Sequence, residues 1–244
     1  MLALPASTFA ARRARVRDAL PPGAALLLPT HSEQRRNGDS DYPFRPESDF
    51  YWLTGFREPD AWALLRKDDP GYTLFVLPKD REREIWTGIR AGVEGAVAVH
   101  GADEAKPLSD LESGLGALLE QVDTLYFAFG RRPEPSAVLD RVLATLRRGR
   151  KPRLGPSALV DPAQLLADLR LHKSPEELDV MRTGAAITAE AHIAAMAQVR
   201  PGMFEYQIEA LVEGTFRRRG AWGWAYPSIV GGGKNACILH YRSN

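Results

Sequence analysis

Residues 174–202 read SPEELDVMRTGAAITAEAHIAAMAQVRPG, and this stretch sets the pattern for the second half of the chain. Ser174 is a candidate helix N-cap, Pro175 suits the first helical position, and Glu177 can bond back to the cap. Apolar residues then recur at helical spacing as far as Val199, and Pro201-Gly202 ends the pattern. The stretch therefore predicts one long, capped helix.

A second helix and a pair of strands are predicted after it. The helix has an apolar stripe at Ile208, Leu211, Val212 and Phe216, and Gly220 is its expected stop. The glycine run 231–233 predicts a turn between strands at 228–230 and 236–241. No Gly-Lys-Ser/Thr motif accompanies these glycines, which argues against a phosphate loop. We expect Cys237 to be buried in the returning strand and His240 to emerge at its end.

Three glutamates of the second helix, Glu205, Glu209 and Glu213, share one helix face. This spacing is typical of a solvated stripe, and no histidine completes a metal site there. The interpretation favours a surface role for all three.

The first half of the chain alternates strand and helix patterns. We predict helices over residues 7–20, 109–119 and 136–146, with a capping box from Ser109 to Glu112 at the start of the second. Strands are predicted at 24–29, 61–66, 72–77 and 124–129, and the aromatic run 49–56 is β-prone. The turn at 68–71 makes a hairpin that lies beside the first strand. This alternation indicates an α/β domain.

The region joining the two halves is basic and then helical. Arg147–Arg153 can bind an anion, but such a stretch at a helix exit is more typical of a solvated surface. Asp161-Pro162 predicts a short linker helix through Leu165, Leu166 and Leu169. The domain boundary is expected near residues 150–172.

Composition excludes several classes of function. The chain is 44% hydrophobic and has a net charge of +1, from 32 basic and 31 acidic residues, which argues against nucleic acid as a partner. No apolar run is long enough for a membrane span, and the first 20 residues do not form a signal peptide. The single cysteine excludes a disulfide framework and suits a reducing cytoplasm.

Several segments together resemble the Xaa-Pro aminopeptidase (aminopeptidase P) family. The matching segments are 172–178 (HKSPEEL), 200–206 (RPGMFEY), 229–231 with 237–241 (IVG and CILHY), 39–45 (DSDYPFR), 48–56 (SDFYWLTGF) and 84–86 (EIW). They cover essentially the whole chain in the family's order. The set is specific, although no single piece is.

The resemblance implies a fold, an activity and four site residues. It implies an α/β fold: an N-terminal domain with a mixed sheet over residues 1–165, then the beginning of a pita-bread (creatinase/aminopeptidase-like) metallopeptidase domain over 166–244. The family removes an N-terminal residue that precedes proline, using two divalent metals, usually manganese (Mn²⁺). His240 resembles a substrate-side catalytic histidine, and Tyr226 a tyrosine behind the metal ligands. Asp39 and Trp86 resemble substrate-binding residues that reach a neighbouring subunit's active site.

One departure from the family limits these expectations. The family's metal ligands are two aspartates, a histidine and two glutamates, and all would follow His240. We therefore expect an incomplete catalytic domain, inactive alone, whose partners are a peptide with proline second, further copies of the chain, or a carboxy-terminal remainder. Two alternatives stay open: a non-catalytic relative that binds peptides or proteins, and a prolidase that cleaves Xaa-Pro dipeptides.

Overall fold

The computed structural model describes residues 4–148 and 155–243. The chain divides into two compact units, one of residues Pro5–His172 and one that begins at Lys173. Most of the basic segment Arg147–Arg153 lies outside the described residues, so its interpretation stays a prediction. None of the helices within the described ranges is long and apolar enough to cross a membrane.

The first unit alternates strands and helices as predicted. In chain order they are α1 (Ala6–Ala19), β1 (Ala24–Pro29), β2 (Arg35–Asn37), β3 (Ser40–Asp41), α2 (Ser48–Thr54), β4 (Trp62–Arg66), β5 (Tyr72–Val76), α3 (Arg81–Thr87), α4 (Gly92–Ala98), β6 (Glu104–Pro107), α5 (Leu111–Leu119), β7 (Thr124–Tyr126), α6 (Pro133–Arg147), β8 (Ala158–Val160) and α7 (Ala163–Leu171).

Six of these strands form one mixed sheet in the order β6-β5-β4-β1-β7-β8, and β2 and β3 form a separate hairpin. β4 runs antiparallel to both β1 and β5. The pairs β1–β7, β7–β8 and β5–β6 are parallel. The predicted hairpin beside the first strand and the mixed α/β fold are therefore confirmed.

The core has two layers because β1 is buried on both of its faces. Leu26 and Leu28 join a cluster with residues of α1, α2 and α7. Ala25 and Leu27, which point the other way, join a second cluster with residues of α5 and α6. Successive side chains of a strand point to opposite faces, so an apolar strand without alternation requires helices on both sides.

The strand-like run 49–56 is in fact helix α2, so that prediction was wrong. Glu47 caps the helix by accepting a hydrogen bond at 2.8 Å from the Phe50 N–H. Gly55 ends it in the left-handed conformation, with φ of 66°. Phe50 and Leu53 lie three residues apart and are both buried. This helical spacing overrides the β preference of the aromatic residues.

The predicted capping box at Ser109 is also absent. A 3-10 turn occupies Leu108–Asp110, and α5 starts only at Leu111. The Ser109 hydroxyl instead donates to Asp110 Oδ1 at 3.1 Å. The serine is thus inside a turn and cannot cap the helix that follows.

Two consecutive arginines of α1 are buried against the end of α2. Arg12 donates to the Trp52 carbonyl at 2.9 Å, and Arg13 donates to the Leu53 carbonyl at 3.3 Å. Arg12 also stacks against the Phe9 and Trp52 rings, with its guanidinium carbon 5.3 and 5.1 Å from their centroids. The last carbonyls of a helix have no donor within the helix and need one from elsewhere. Positive charges at this end also interact favourably with the negative pole of the helix dipole. The arginines therefore fasten α1 to α2.

The second unit begins with the helix that the cap signal predicted. α8 spans Pro175–Gln198, with Ser174 and Glu177 forming the reciprocal capping box at 3.3 and 2.7 Å. α9 spans Glu205–Arg218 and is followed by Gly220 with φ of 84°. Both helices are confirmed.

The predicted returning strand is wrong. Gly233–Cys237 form a short 3-10 helix, and within residues 221–243 no strand is present. A strand needs a neighbour to pair its backbone N–H and C=O groups, and the described part of this unit contains no strand that offers one. Cys237 is exposed, not buried as predicted.

We expect Arg12→Lys to lower the free energy of unfolding by about 1–3 kcal/mol, because lysine keeps the charge but loses the planar fork and the ring stacking. Denaturant unfolding measures the change. Arg15→Lys is the matched control, since Arg15 lies on the same helix and donates to the Leu169 carbonyl from an exposed position. Its cost should stay within about 0.5 kcal/mol. Equal costs for the two variants would contradict the proposed fastening of α1 to α2.

Candidate functional site

His240 and Tyr226 lie in the irregular segment that follows α9. Tyr226 lies at a bend and is 68% exposed. His240 lies in a turn after the short 3-10 helix and is also exposed. Among residues 4–148 and 155–243, neither side chain has a hydrogen-bond partner. Both are therefore available to a ligand or another chain segment, and their predicted roles stay predictions.

Asp39 and Trp86 belong to the first unit. Asp39 is exposed at the turn of the β2–β3 hairpin, next to Gly38, whose φ is 54°. Trp86 lies on α3, a helix with no buried residue, and is 88% exposed. Ile85 and Ile89 beside it are 78% and 89% exposed. An exposed apolar cluster of this kind is typical of a surface that contacts another protein.

Glu205 anchors the segment that carries His240. Its Oε1 accepts hydrogen bonds from the Gly232 backbone N–H at 2.6 Å and from Asn235 Nδ2 at 3.0 Å. These two donors stabilise the carboxylate and lower the pKa of Glu205 below its usual value. Asn235 is the residue around which the short 3-10 helix turns, since it accepts from the Ile238 N–H at 3.0 Å. The segment is thus tied to α9 by the backbone of Gly232 and the side chain of Asn235, eight and five residues before His240.

A second carboxylate of the same helix holds the segment further upstream. Glu213 Oε1 accepts from the Ser228 hydroxyl at 2.6 Å. The glutamate face of α9 is therefore an attachment face for residues 228–235, and its interpretation as a solvated stripe was wrong for Glu205 and Glu213. The residue pattern gave no signal of this role, because the donors come from a glycine backbone, a serine and an asparagine in an irregular segment.

The described residues do not fit a dinuclear metal centre. Within residues 4–148 and 155–243 no group of three or more His, Cys, Asp or Glu side chains could hold a metal ion. The carboxylate of Glu205 is occupied by protein donors, which further reduces the acidic oxygens available. Two divalent metals need several carboxylate and imidazole ligands around them.

Two known protein families match the chain. Residues 9–126 match the aminopeptidase P N-terminal domain, and residues 179–244 match metallopeptidase family M24. The Xaa-Pro aminopeptidase of Escherichia coli (strain K12) is 39% identical over 240 residues, which is 97% of this chain and 54% of that protein. That of Haemophilus influenzae is 39% identical over 246 residues, covering 100% of this chain and 55% of that protein. The chain thus spans about half the length of the curated relatives it matches.

Solved structures give the same match in three dimensions. Aminopeptidase PepP of Pseudomonas aeruginosa superimposes with a TM-score of 0.97 at 42% identity, over 100% of this chain and 56% of that one. The low-pH form of E. coli aminopeptidase P gives a TM-score of 0.94 at 38% identity, over 98% of this chain and 56% of that one. An N-terminal domain and an M24 segment in the same order, on the same fold, show that the chain belongs to the aminopeptidase P family of metallopeptidases.

Proposed function

We propose that this chain contributes the N-terminal domain and the first part of the catalytic domain to an enzyme that removes an N-terminal residue preceding proline. The observation that carries the proposal is the superposition of the whole chain on P. aeruginosa aminopeptidase PepP at a TM-score of 0.97. We propose residues 1–165 and 166–244 as the two domains of the enzyme, although the first compact unit of this chain continues to His172. The 244 residues alone are inactive in this proposal, because their described part assembles no metal site.

His240 is the catalytic residue of the chain in this proposal. An imidazole N–H can donate a hydrogen bond to a peptide carbonyl and strengthen that bond as negative charge develops on the oxygen. Its exposure and the anchoring of its segment by Glu205 support this role, because a donor must be both accessible and held in place. Tyr226 would orient a ligand carboxylate from behind through its hydroxyl, which has no partner in the described part of the chain.

Asp39 and Trp86 are the substrate-binding residues that we assign to an oligomer. The exposed cluster of Ile85, Trp86 and Ile89 supports contact with another copy of the chain. Asp39 lies at an exposed hairpin turn, from which a carboxylate can reach the positively charged amino terminus of a peptide in a neighbouring subunit.

The cofactor and the compartment complete the proposal. Family M24 implies divalent metal ions, and we propose Mn²⁺ bound by residues outside this chain. We place the protein in the cytoplasm, because the one cysteine of the chain is exposed and suits a reducing environment. A binding protein without metals and a prolidase are the two competing functions.

Peptide hydrolysis with added Mn²⁺ distinguishes these functions. We expect no turnover of Ala-Pro-Ala by the 244-residue chain alone. We expect turnover when the chain is joined to the remaining length of the E. coli Xaa-Pro aminopeptidase, with Ala-Ala-Ala as the uncleaved control.

Each competing function has its own result. Turnover by the chain alone would contradict the proposal that the metal ligands lie outside these 244 residues. Cleavage of the dipeptide Ala-Pro but not of Ala-Pro-Ala by the joined protein would identify a prolidase. Tight binding of Ala-Pro-Ala by the chain alone, with an inactive joined protein, would favour the binding protein.

In the joined protein, His240→Ala should lower kcat/KM for Ala-Pro-Ala by about 10²–10³, the usual cost of removing one oxyanion donor. Metal content, measured by atomic absorption, should not change, because His240 is not a ligand. His192→Ala is the control, since His192 is an exposed histidine on α8. Loss of metal in His240→Ala would contradict the substrate-side role.

Protonation of Glu205 should release the segment that it anchors. Its folded-state pKa is depressed, so the stabilisation is present above the unfolded pKa and is lost as pH falls through the folded pKa. The amide signal of Gly232 in a ¹H–¹⁵N NMR titration should therefore move with a midpoint below the roughly 4.3 of an unperturbed glutamate. Glu205→Ala should abolish this step, whereas Glu213→Ala, which frees Ser228 instead, should preserve it. A midpoint at or above the ordinary value would refute the anchoring.

A further inference from the structure

The first unit contains a crevice at the carboxyl ends of the parallel strands β1 and β7. After β1 the chain continues to α2, whose apolar residues pack in the first cluster. After β7 it continues to α6, whose apolar residues pack in the second cluster, on the other face of the sheet. Two neighbouring parallel strands whose connections leave to opposite faces open a crevice between them. Ligands of α/β sheets bind at this kind of position.

A cavity of about 220 Å³ occupies the crevice. Its walls come from residues that follow three different strands, among them His31 after β1, Phe127 and Arg132 after β7, and Ala163 after β8. Leu28 and Phe127 are buried and give it an apolar floor. The volume is below the roughly 300–1,000 Å³ of sites for drug-sized ligands, so the cavity suits a smaller molecule.

Most charged groups of the cavity wall are already paired. Asp49 forms an ion pair with Arg170. Arg131 donates from Nη2 to both carboxylate oxygens of Asp161, at 2.9 and 3.1 Å. Glu47 caps α2 through its bond from the Phe50 N–H. These groups shape the wall without offering a free charge to a ligand.

Arg132 and His31 are the exceptions. Arg132 donates from Nη1 to the Thr30 carbonyl at 3.0 Å, and its Nε and Nη2 have no hydrogen-bond partner in the described ranges. The His31 imidazole likewise has none among those residues. Partial burial and the nearby Arg132 charge lower the pKa of His31, so the ring is neutral at pH 7 and offers one N–H donor. A guanidinium fixed by one bond, with the N–H groups of Nε and Nη2 unused, is preorganised for a second acceptor.

We propose that this crevice binds a small monocarboxylate with a short apolar body, with the carboxylate on Arg132 and His31 and the body against Leu28 and Phe127. A guanidinium edge matches the two oxygens of a carboxylate. A dianion such as phosphate is disfavoured because Glu47, which is bonded to a backbone N–H and not to a cation, adds negative charge to the same wall. The inference stands apart from the proposed peptidase function, because its test measures binding and not hydrolysis.

The probes that test it are 4-methylpentanoate and its uncharged amide, 4-methylpentanamide, titrated at pH 7 into the ¹⁵N-labelled 244-residue chain. We expect the carboxylate to shift the amide signals of His31, Ala128 and Ala163 with a roughly millimolar Kd, as suits a ligand of this size. The amide should bind at least about tenfold more weakly, because it cannot make a charge-assisted bond. Arg132→Gln should weaken carboxylate binding by a similar factor.

Arg141→Gln is the matched control, since Arg141 lies on α6, the helix that Arg132 directly precedes, but pairs with Glu112 away from the crevice. It should leave the Kd unchanged. If Arg132→Gln fails to fold, Arg132→Lys, which keeps the charge, takes its place. The set of amide signals that the carboxylate shifts in the unaltered chain then still tests whether the ligand binds in the crevice. Equal binding of acid and amide, shifts confined to other residues, or unchanged binding in the folded Arg132→Gln variant would each overturn the proposal.

Discussion

The burial of β1 on both faces is the constraint on which the first unit depends. Its apolar residues send alternate side chains to two clusters, so helices must cover both sides of the sheet. The chain satisfies this by passing from β1 to α2 on one face and from β7 to α6 on the other. The same division of connections opens the crevice at the carboxyl edge of these two strands. Core packing and the candidate binding cavity thus share one topological cause.

Local signals in the sequence predicted those parts of the fold whose causes are local. The capping residues Ser174 and Glu177 define α8 because both bonds lie within one helical turn. Ala24–Pro29 was predictable as a buried strand because its continuous apolar composition requires burial of both strand faces. The run 49–56 was mispredicted because aromatic residues favour strands on average, whereas the cap at Glu47 and the buried spacing of Phe50 and Leu53 favour a helix here. Tertiary contacts decided between two patterns that the local sequence left close in energy.

The prediction of a strand at 236–241 was wrong for a different reason. A strand is stable only when a neighbour satisfies its backbone groups, and no residue within the segment can report whether that neighbour exists. In the described part of the second unit, side-chain carboxylates instead hold the residues before this segment: Glu205 accepts from the Gly232 backbone N–H and Glu213 from the Ser228 hydroxyl. Family resemblance pointed to His240 as the residue of interest, but only the structure shows how the backbone before it is anchored.

The cavity residues could not be found from sequence because their relation is set by topology. His31 and Arg132 are about a hundred positions apart, and each alone is an ordinary polar residue after a strand. They meet because β1 and β7 are parallel neighbours, which brings the residues after both strands to one edge. The two arginines of the wall are adjacent and look alike in sequence. In the structure Arg131 pairs with the Asp161 carboxylate, whereas Arg132 donates one hydrogen bond to a neutral carbonyl. Which of two adjacent arginines keeps N–H donors for a ligand therefore depends on which one finds a carboxylate, and that choice is made by the position of the loop after β8.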